Sequence, residues 1–120
     1  MPRVVVLSKS RYGSSEKYAT WIAEELEADL FAADSFDAKK FHSYECVVFG
    51  GSLYASELIG INVINENFET LRNKKVVLFS VGASPARPEV LEEIKLKNLS
   101  PEMICHAEFH HLRGALTSIN

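Results

Sequence analysis

Val4-Val5-Val6-Leu7-Ser8-Lys9-Ser10-Arg11-Tyr12-Gly13-Ser14-Ser15 is the stretch that decides the fold. Its first half is β-branched and apolar without alternation, as a strand buried on both faces requires, and such strands belong to parallel sheets. Its second half stops the strand with hydroxyl residues and a glycine. Ser14 or Ser15 then stands where a helix cap is needed, and Tyr18, Ile22 and Leu26 follow at four-residue spacing. That spacing predicts a helix to about Glu27.

The same sequence of strand, glycine and helix recurs twice. Cys46-Val47-Val48-Phe49 leads into a glycine loop at Gly50-Gly51, after which Ile61, Ile64, Phe68 and Leu71 give helical spacing across residues 58–71. Residues 75–81 lead into Gly82-Ala83-Ser84-Pro85, and Pro88 opens a predicted helix over 89–97, where its missing N–H is harmless. Residues 29–32 read as a short second strand, followed by a polar connection through His42 with room for one helical turn. Residues 104–112 read as a last strand, with Cys105, Ala107 and Phe109 on one side and His106, Glu108 and His110 on the other. Strands separated by helices give an α/β fold: an open parallel five-stranded sheet with helices on both faces, one domain over residues 1–120.

Composition narrows the function. The 120 residues suit one domain; 47% are hydrophobic and 24% charged, and the formal net charge is -3, so there is no basic field for nucleic-acid phosphates. The apolar runs are far short of the roughly 20 residues that span a bilayer. The N-terminus has no long apolar segment with a cleavage site, which predicts a cytoplasmic protein. Two cysteines make neither a disulfide framework nor a CxxC motif. No GxGxxG or GxxxxGK[ST] is present, so dinucleotide and ATP sites are excluded. A phosphoacceptor receiver would need acidic residues after the first strand and an aspartate ending the third, where Ser8-Lys9 and Phe49-Gly50 stand. His106 and His110 would be about 13 Å apart on one strand, too far for a shared metal.

Ligands of open parallel sheets bind beyond the carboxyl ends of the strands, where the strand order reverses. Three loops leave those ends here. Ser10, Arg11, Tyr12, Gly13, Ser14 and Ser15 combine hydroxyls, a glycine able to curl round an anion and a helix N-terminus with orphan N–H donors, which is a phosphate cradle by composition. It needs no lysine for a phosphate monoester, the group in which FMN ends. A turn with a helix cap would use the same residues.

The spacing Ser10-x-x-Gly13-x-Ser15-x-x-x-Ala19-x-x-Ile22 behind Val4 to Leu7 resembles the phosphate loop of the flavodoxin family, with serine for the commoner threonine and Ser8 where an aromatic is usual. Gly51, Ser52, Leu53 and Tyr54 look like the loop that carries a flavin-stacking aromatic, and Val81, Gly82, Ala83 and Ser84 like the loop against the pyrimidine ring. The resemblance implies FMN as cofactor, the strand order 2-1-3-4-5 known for this fold, and electron transfer with a redox partner protein or a quinone-like molecule. Ser52-Leu53-Tyr54 and Leu112-Arg113-Gly114 are similar to short flavodoxin-domain proteins related to menaquinone-dependent protoporphyrinogen oxidase. Two alternatives stay open: a quinone-linked oxidoreductase of that type, and a flavin-free interaction module on the same fold. The third loop carries no second aromatic, which predicts an open pocket. Lys9, Arg11 and Arg87 lie in or beside it; a positive charge about 8 Å from a reduced flavin would raise its potential by roughly 90 mV.

The implied order has two further consequences. Cys46 on the third strand and Cys105 on the fifth would be about 9 Å or more apart, beyond disulfide reach, so both thiols are expected to be free. After Leu112 only residues 113–120 follow in this sequence, so the C-terminal helix is expected to be absent or truncated and part of the sheet to be bare. A second copy of the chain, or further residues of a longer protein, is expected to cover it.

Overall fold

In the chain's computed structural model, residues 3–9, 14–54, 56–82 and 87–113 are described. Five parallel strands form the sheet: β1 (Val4–Lys9), β2 (Asp29–Ala32), β3 (Cys46–Tyr54), β5 (Lys75–Gly82) and β6 (Glu108–Arg113), in the order β2-β1-β3-β5-β6. This is the expected 2-1-3-4-5 order. A two-residue strand, β4 (Glu57–Leu58), folds back antiparallel on the end of β3.

Helix α1 (Ser14–Leu26) covers one face, packing Ala19 and Ala23 against Val6, Val48, Phe79 and Val81. The connections from β3 to β5 and from β5 to β6 cover the other. That larger layer buries Val5, Leu7, Val47, Phe49 and Leu78 under Ile64, Leu71 and Met103. The polar connection after β2 forms two 3₁₀ stretches, Ala33–Ser35 and Ala38–Ser43, which insert Phe36 and Phe41 into the same layer.

Two predicted elements are corrected. Residues 58–71 are not one helix. Leu58 belongs to β4, Gly60 turns at φ 84°, and only two short helices follow, α2 (Asn62–Asn65) and α3 (Phe68–Leu71). The break falls at Glu66-Asn67, where Asn67 leaves helical backbone geometry (φ -113°, ψ 25°) and its Nδ2 donates to the Val63 carbonyl. Asparagine competes in this way with the backbone ladder. The spacing still marks the buried face, since Ile61, Ile64 and Leu71 are all in the core.

Residues 104–112 are not one strand either. After α4 (Pro88–Asn98), close to its predicted span, the chain forms α5 (Pro101–His106) and only then β6. Ser100 caps α5 by accepting from the Met103 N–H, and Pro101 opens it, so Cys105 sits on a helix and not in the last strand. Both thiols are nevertheless free. His106 ends α5 and contacts the carbonyls of Leu71 and Lys74 at 3.0 and 2.7 Å.

Among the described residues one face of the sheet carries an apolar groove. It lies beside α1, has a volume of about 600 Å³ and is lined by Val4, Ile22, Val48, Val77, Phe79 and Leu112, with Glu45, Lys75 and His110 also in its walls. Trp21, 63% exposed, and Leu26, 50% exposed, extend it along α1.

Candidate functional site

Sheet register brings the carboxyl ends of three strands together. Lys9 lies opposite Gly51 and Gly51 opposite Ser80; one step further, Ser52 lies opposite Val81 and Val81 opposite Leu112. Between β1 and β3 the strand order reverses, because β1 leads out to β2 while β3 starts the other half of the sheet. A crevice at such a point is open to a ligand because the flanking connections leave in opposite directions.

The first loop enters this place between the end of β1 at Lys9 and the start of α1 at Ser14. Ser10, Arg11, Tyr12 and Gly13 lie outside the described residues, as do the side chains of Ser14 and Ser15. What is seen is their setting: a 13-residue helix starts directly beyond β1, and the N–H groups of its first turn have no intrahelical partner. The helix dipole adds to the attraction for an anion there. A phosphate-ended cofactor fits that setting.

Gly51 and Ser52 do not form a loop. β3 runs through them to Tyr54, so both are buried within the sheet, Leu53 is half-buried, and Tyr54 is 52% exposed at the strand's end. The strand continues because Gly50 and Gly51 let neighbours approach its backbone. A Cβ at Gly50 would overlap the tip of the Phe79 ring, 1.9 Å from its Cζ, and one at Gly51 would stand 2.6 Å from the Ile59 carbonyl oxygen. The chain then reverses through Ser56, at φ 67°, into β4. Tyr54 is paired with Glu57 across this hairpin. The exposed ring at the switch point suits stacking on a planar ligand, a contact worth about 0.5–1.5 kcal/mol beyond burial for aromatic pairs.

The third loop starts after Val81, which is buried, and Gly82, whose position close to Leu53 joins it to β3. Ala83 and Ser84 lie outside the described residues. Arg87 stands at the N-cap of α4.

Several partners at the site were not legible in the sequence. Lys9 forms an ion pair with Asp34 on the turn after β2. Its charge is therefore compensated. Gly60 passes over the stem of Lys9, where a Cβ would be 2.8 Å away. Ser80 Oγ and His111 Nδ1 are 2.7 Å apart, both buried one step below the third loop. His111 lies on the opposite face of β6 from His110, and His110 pairs with Glu108 in solvent at 2.6 Å. That bond holds the Glu108 carboxyl below its ordinary range. Among the described residues no cluster of His, Cys, Asp or Glu is arranged to hold a metal ion, and no helix is long and apolar enough to cross a membrane.

Three solved structures illustrate the likeness of fold. Two-electron reduced flavodoxin from Megasphaera elsdenii superposes with a TM-score of 0.67 at 14% identity, covering 92% of this chain and 85% of that one. Oxidised Flavodoxin 2 from Bacillus cereus gives 0.60 at 18%, covering 92% and 85%. The flavodoxin, WrbA-like protein from Agrobacterium tumefaciens gives 0.60 at 18%, covering 91% and 82%. No curated protein matches the sequence significantly. At these identities the structures speak for the fold alone, but the family model for the flavodoxin domain matches residues 5–118, nearly the whole sequence. The chain belongs to the flavodoxin domain family.

Proposed function

We propose that the chain binds FMN across the carboxyl ends of β1, β3 and β5 and serves in electron transfer. The observation that carries this is the convergence, at the point where strand order reverses, of the α1 N-terminus and the exposed Tyr54 ring. In this reading the N–H groups and hydroxyls of Ser10, Gly13, Ser14 and Ser15 hold the phosphate, Tyr54 stacks on the ring system, and residues 81–84 border the pyrimidine edge. When bound, the flavin supplies the redox chemistry, and the protein's part is to bind, orient and tune it. Two free cysteines suit a reducing, cytoplasmic setting.

The test is an absorption spectrum of the purified protein, followed by titration with FMN. Binding with a perturbed flavin band is expected, and Gly13→Asp should abolish it by placing a carboxylate in the phosphate cradle. A colourless protein that takes up no FMN would overturn the reading and leave an interaction module on the same fold. The similarity of Ser52-Leu53-Tyr54 and Leu112-Arg113-Gly114 to proteins related to menaquinone-dependent protoporphyrinogen oxidase favours a quinone-like acceptor as a second reading. Absence of quinone turnover by the FMN-loaded protein would remove it.

A further inference from the structure

Asn98, the last residue of α4, spends its whole carboxamide on three hydrogen bonds. Its Oδ1 accepts from the Leu58 N–H at 2.8 Å, and its Nδ2 donates to the carbonyls of Ser56 at 2.8 Å and Ile94 at 2.9 Å. The Ile94 bond seats the group on its own helix. The other two grip the β3–β4 hairpin at residues 40 and 42 positions earlier in the chain. Only an amide presents two donors and an acceptor from one planar end; an aspartate would keep the acceptor and lose both donors.

The hairpin needs such a hold. β4 has two residues, too few to be stable by its own ladder, and Ser56 occupies the left-handed region that a residue with a Cβ enters at a cost. Strained turns persist where surrounding contacts over-determine them, and they collect at ligand clamps. Asn98 is itself fixed from behind: Asn65 Nδ2 donates to the Asn98 carbonyl at 2.8 Å, and Asn65 Oδ1 accepts from the Ser100 N–H at 3.2 Å. The same helix α4 starts just beyond the third loop, at Pro88. One rigid element thus leaves the loop of the pyrimidine edge and ends on the hairpin that carries Tyr54.

We infer that Asn98 is a positioning residue that latches the β3–β4 hairpin and thereby fixes the Tyr54 ring in its stacking orientation. The second half of this inference rests on the proposed FMN site.

The experiment compares the full chain with Asn98→Asp, Tyr54→Ala and the double variant, by two readouts. Amide hydrogen exchange without flavin reports the latch directly: Asn98→Asp keeps the acceptor for Leu58 but turns a carboxylate on the Ser56 and Ile94 carbonyls, so the Ile59 amide, bonded to the Ser52 carbonyl across the hairpin, should exchange about tenfold faster while β1 amides do not. Unchanged exchange at Ile59 overturns the latch. FMN titration, with quenching of flavin fluorescence at saturation, reports positioning: Asn98→Asp should weaken binding about tenfold with Tyr54 present, and less than about threefold in the Tyr54→Ala background. Equal losses in both backgrounds overturn the positioning role. If the wild-type chain binds no FMN, the functional reading and the stacking role fall together, and the exchange readout still decides the latch. Should Asn98→Asp not fold, Asn98→Ser, whose side chain is too short to span the three partners, takes its place in the same comparison.

Discussion

Gly51→Ala tests how the hairpin is seated on the sheet. Gly51 is central in β3, opposite Lys9 on one side and Ser80 on the other. The added Cβ would stand 2.6 Å from the Ile59 carbonyl oxygen and 3.1 Å from Leu58 Cδ1 and Phe49 Cε2. The oxygen belongs to the backbone and cannot rotate away, so the segment after β4 must withdraw by several tenths of an ångström. That movement stretches the bond from the Ile59 N–H to the Ser52 carbonyl, now 3.0 Å. Overpacking costs about 1–3 kcal/mol, and a weakened hydrogen bond costs up to about 1 kcal/mol. Reduced freedom of the unfolded chain offsets about 0.4–1 kcal/mol of this. The net expectation is a loss of about 2 kcal/mol, which moves the urea midpoint down by about 1 M at an ordinary slope for this chain length. Equilibrium urea unfolding followed by far-UV circular dichroism measures it. A midpoint equal to that of the wild type would refute the close approach of residue 59 to β3. Gly82→Ala is the milder case: its Cβ would meet Leu53 Cβ at 3.0 Å, an overlap smaller than the 2.6 Å one at Gly51 and relieved by a shift of a few tenths of an ångström. Its loss should be under about 1 kcal/mol.

Other predictions concern acid, thiols and association. The Tyr44 hydroxyl donates to Asp29 at 2.6 Å, and this bond, with Arg3 at 3.3 Å, holds the Asp29 carboxyl below its ordinary range. A lowered folded-state value means that the stabilisation is present above about pH 4 and is lost as pH falls through that value. Tyr44→Phe should therefore flatten the stability profile below pH 4, apart from the share of Glu108, which titrates in the same window; an unchanged profile would argue against the Tyr44 bond. Unfolded, non-reduced protein should react with two equivalents of a thiol reagent, and in the native state exposed Cys105 should react before Cys46, which is half-buried and whose thiol is raised by burial. Zero equivalents would contradict the placement of both residues. Light scattering should show a dimer of the 120-residue chain, because the apolar groove continues into exposed Trp21 and because Glu45 and Lys75 in its walls can oppose one another across a two-fold axis. Trp21→Lys should return it to monomer, whereas a monomeric wild type would exclude a second copy as the cover of this face.

Much of this architecture was legible before any coordinates. β1, β3 and β5 carry continuous apolar runs with buried cores at residues 5–7, 47–49 and 78–79, and such runs mark the central strands of a parallel sheet. α1 and α4 were visible because their starts are marked, one by serines and the other by Pro88. Residues 104–107 carry apolar Ile104, Cys105 and Ala107 and so resemble the start of the last strand, whereas the Ser100 cap and Pro101 start a helix that runs to His106. Residues 58–71 mislead in the opposite way: their apolar spacing reports the buried face, yet Gly60 and Asn67 prevent one continuous helix.

The amino-acid sequence by itself determined that the chain is a parallel α/β domain, and it determined which loops emerge at the ligand end. Both follow from local periodicity and from the right-handed crossover of strands through helices. Only the tertiary structure decided which polar groups meet. Asp34 joins Lys9 across 25 positions, His111 joins Ser80 across 31, and Asn98 reaches Leu58 across 40. The groove beside α1 is likewise a matter of packing, since Val48, Val77 and Leu112 are ordinary strand residues until the described elements are set together and leave them lining one groove. Hydrogen bonds and exposed faces depend on how elements are set against one another, and no periodicity within a single element encodes that.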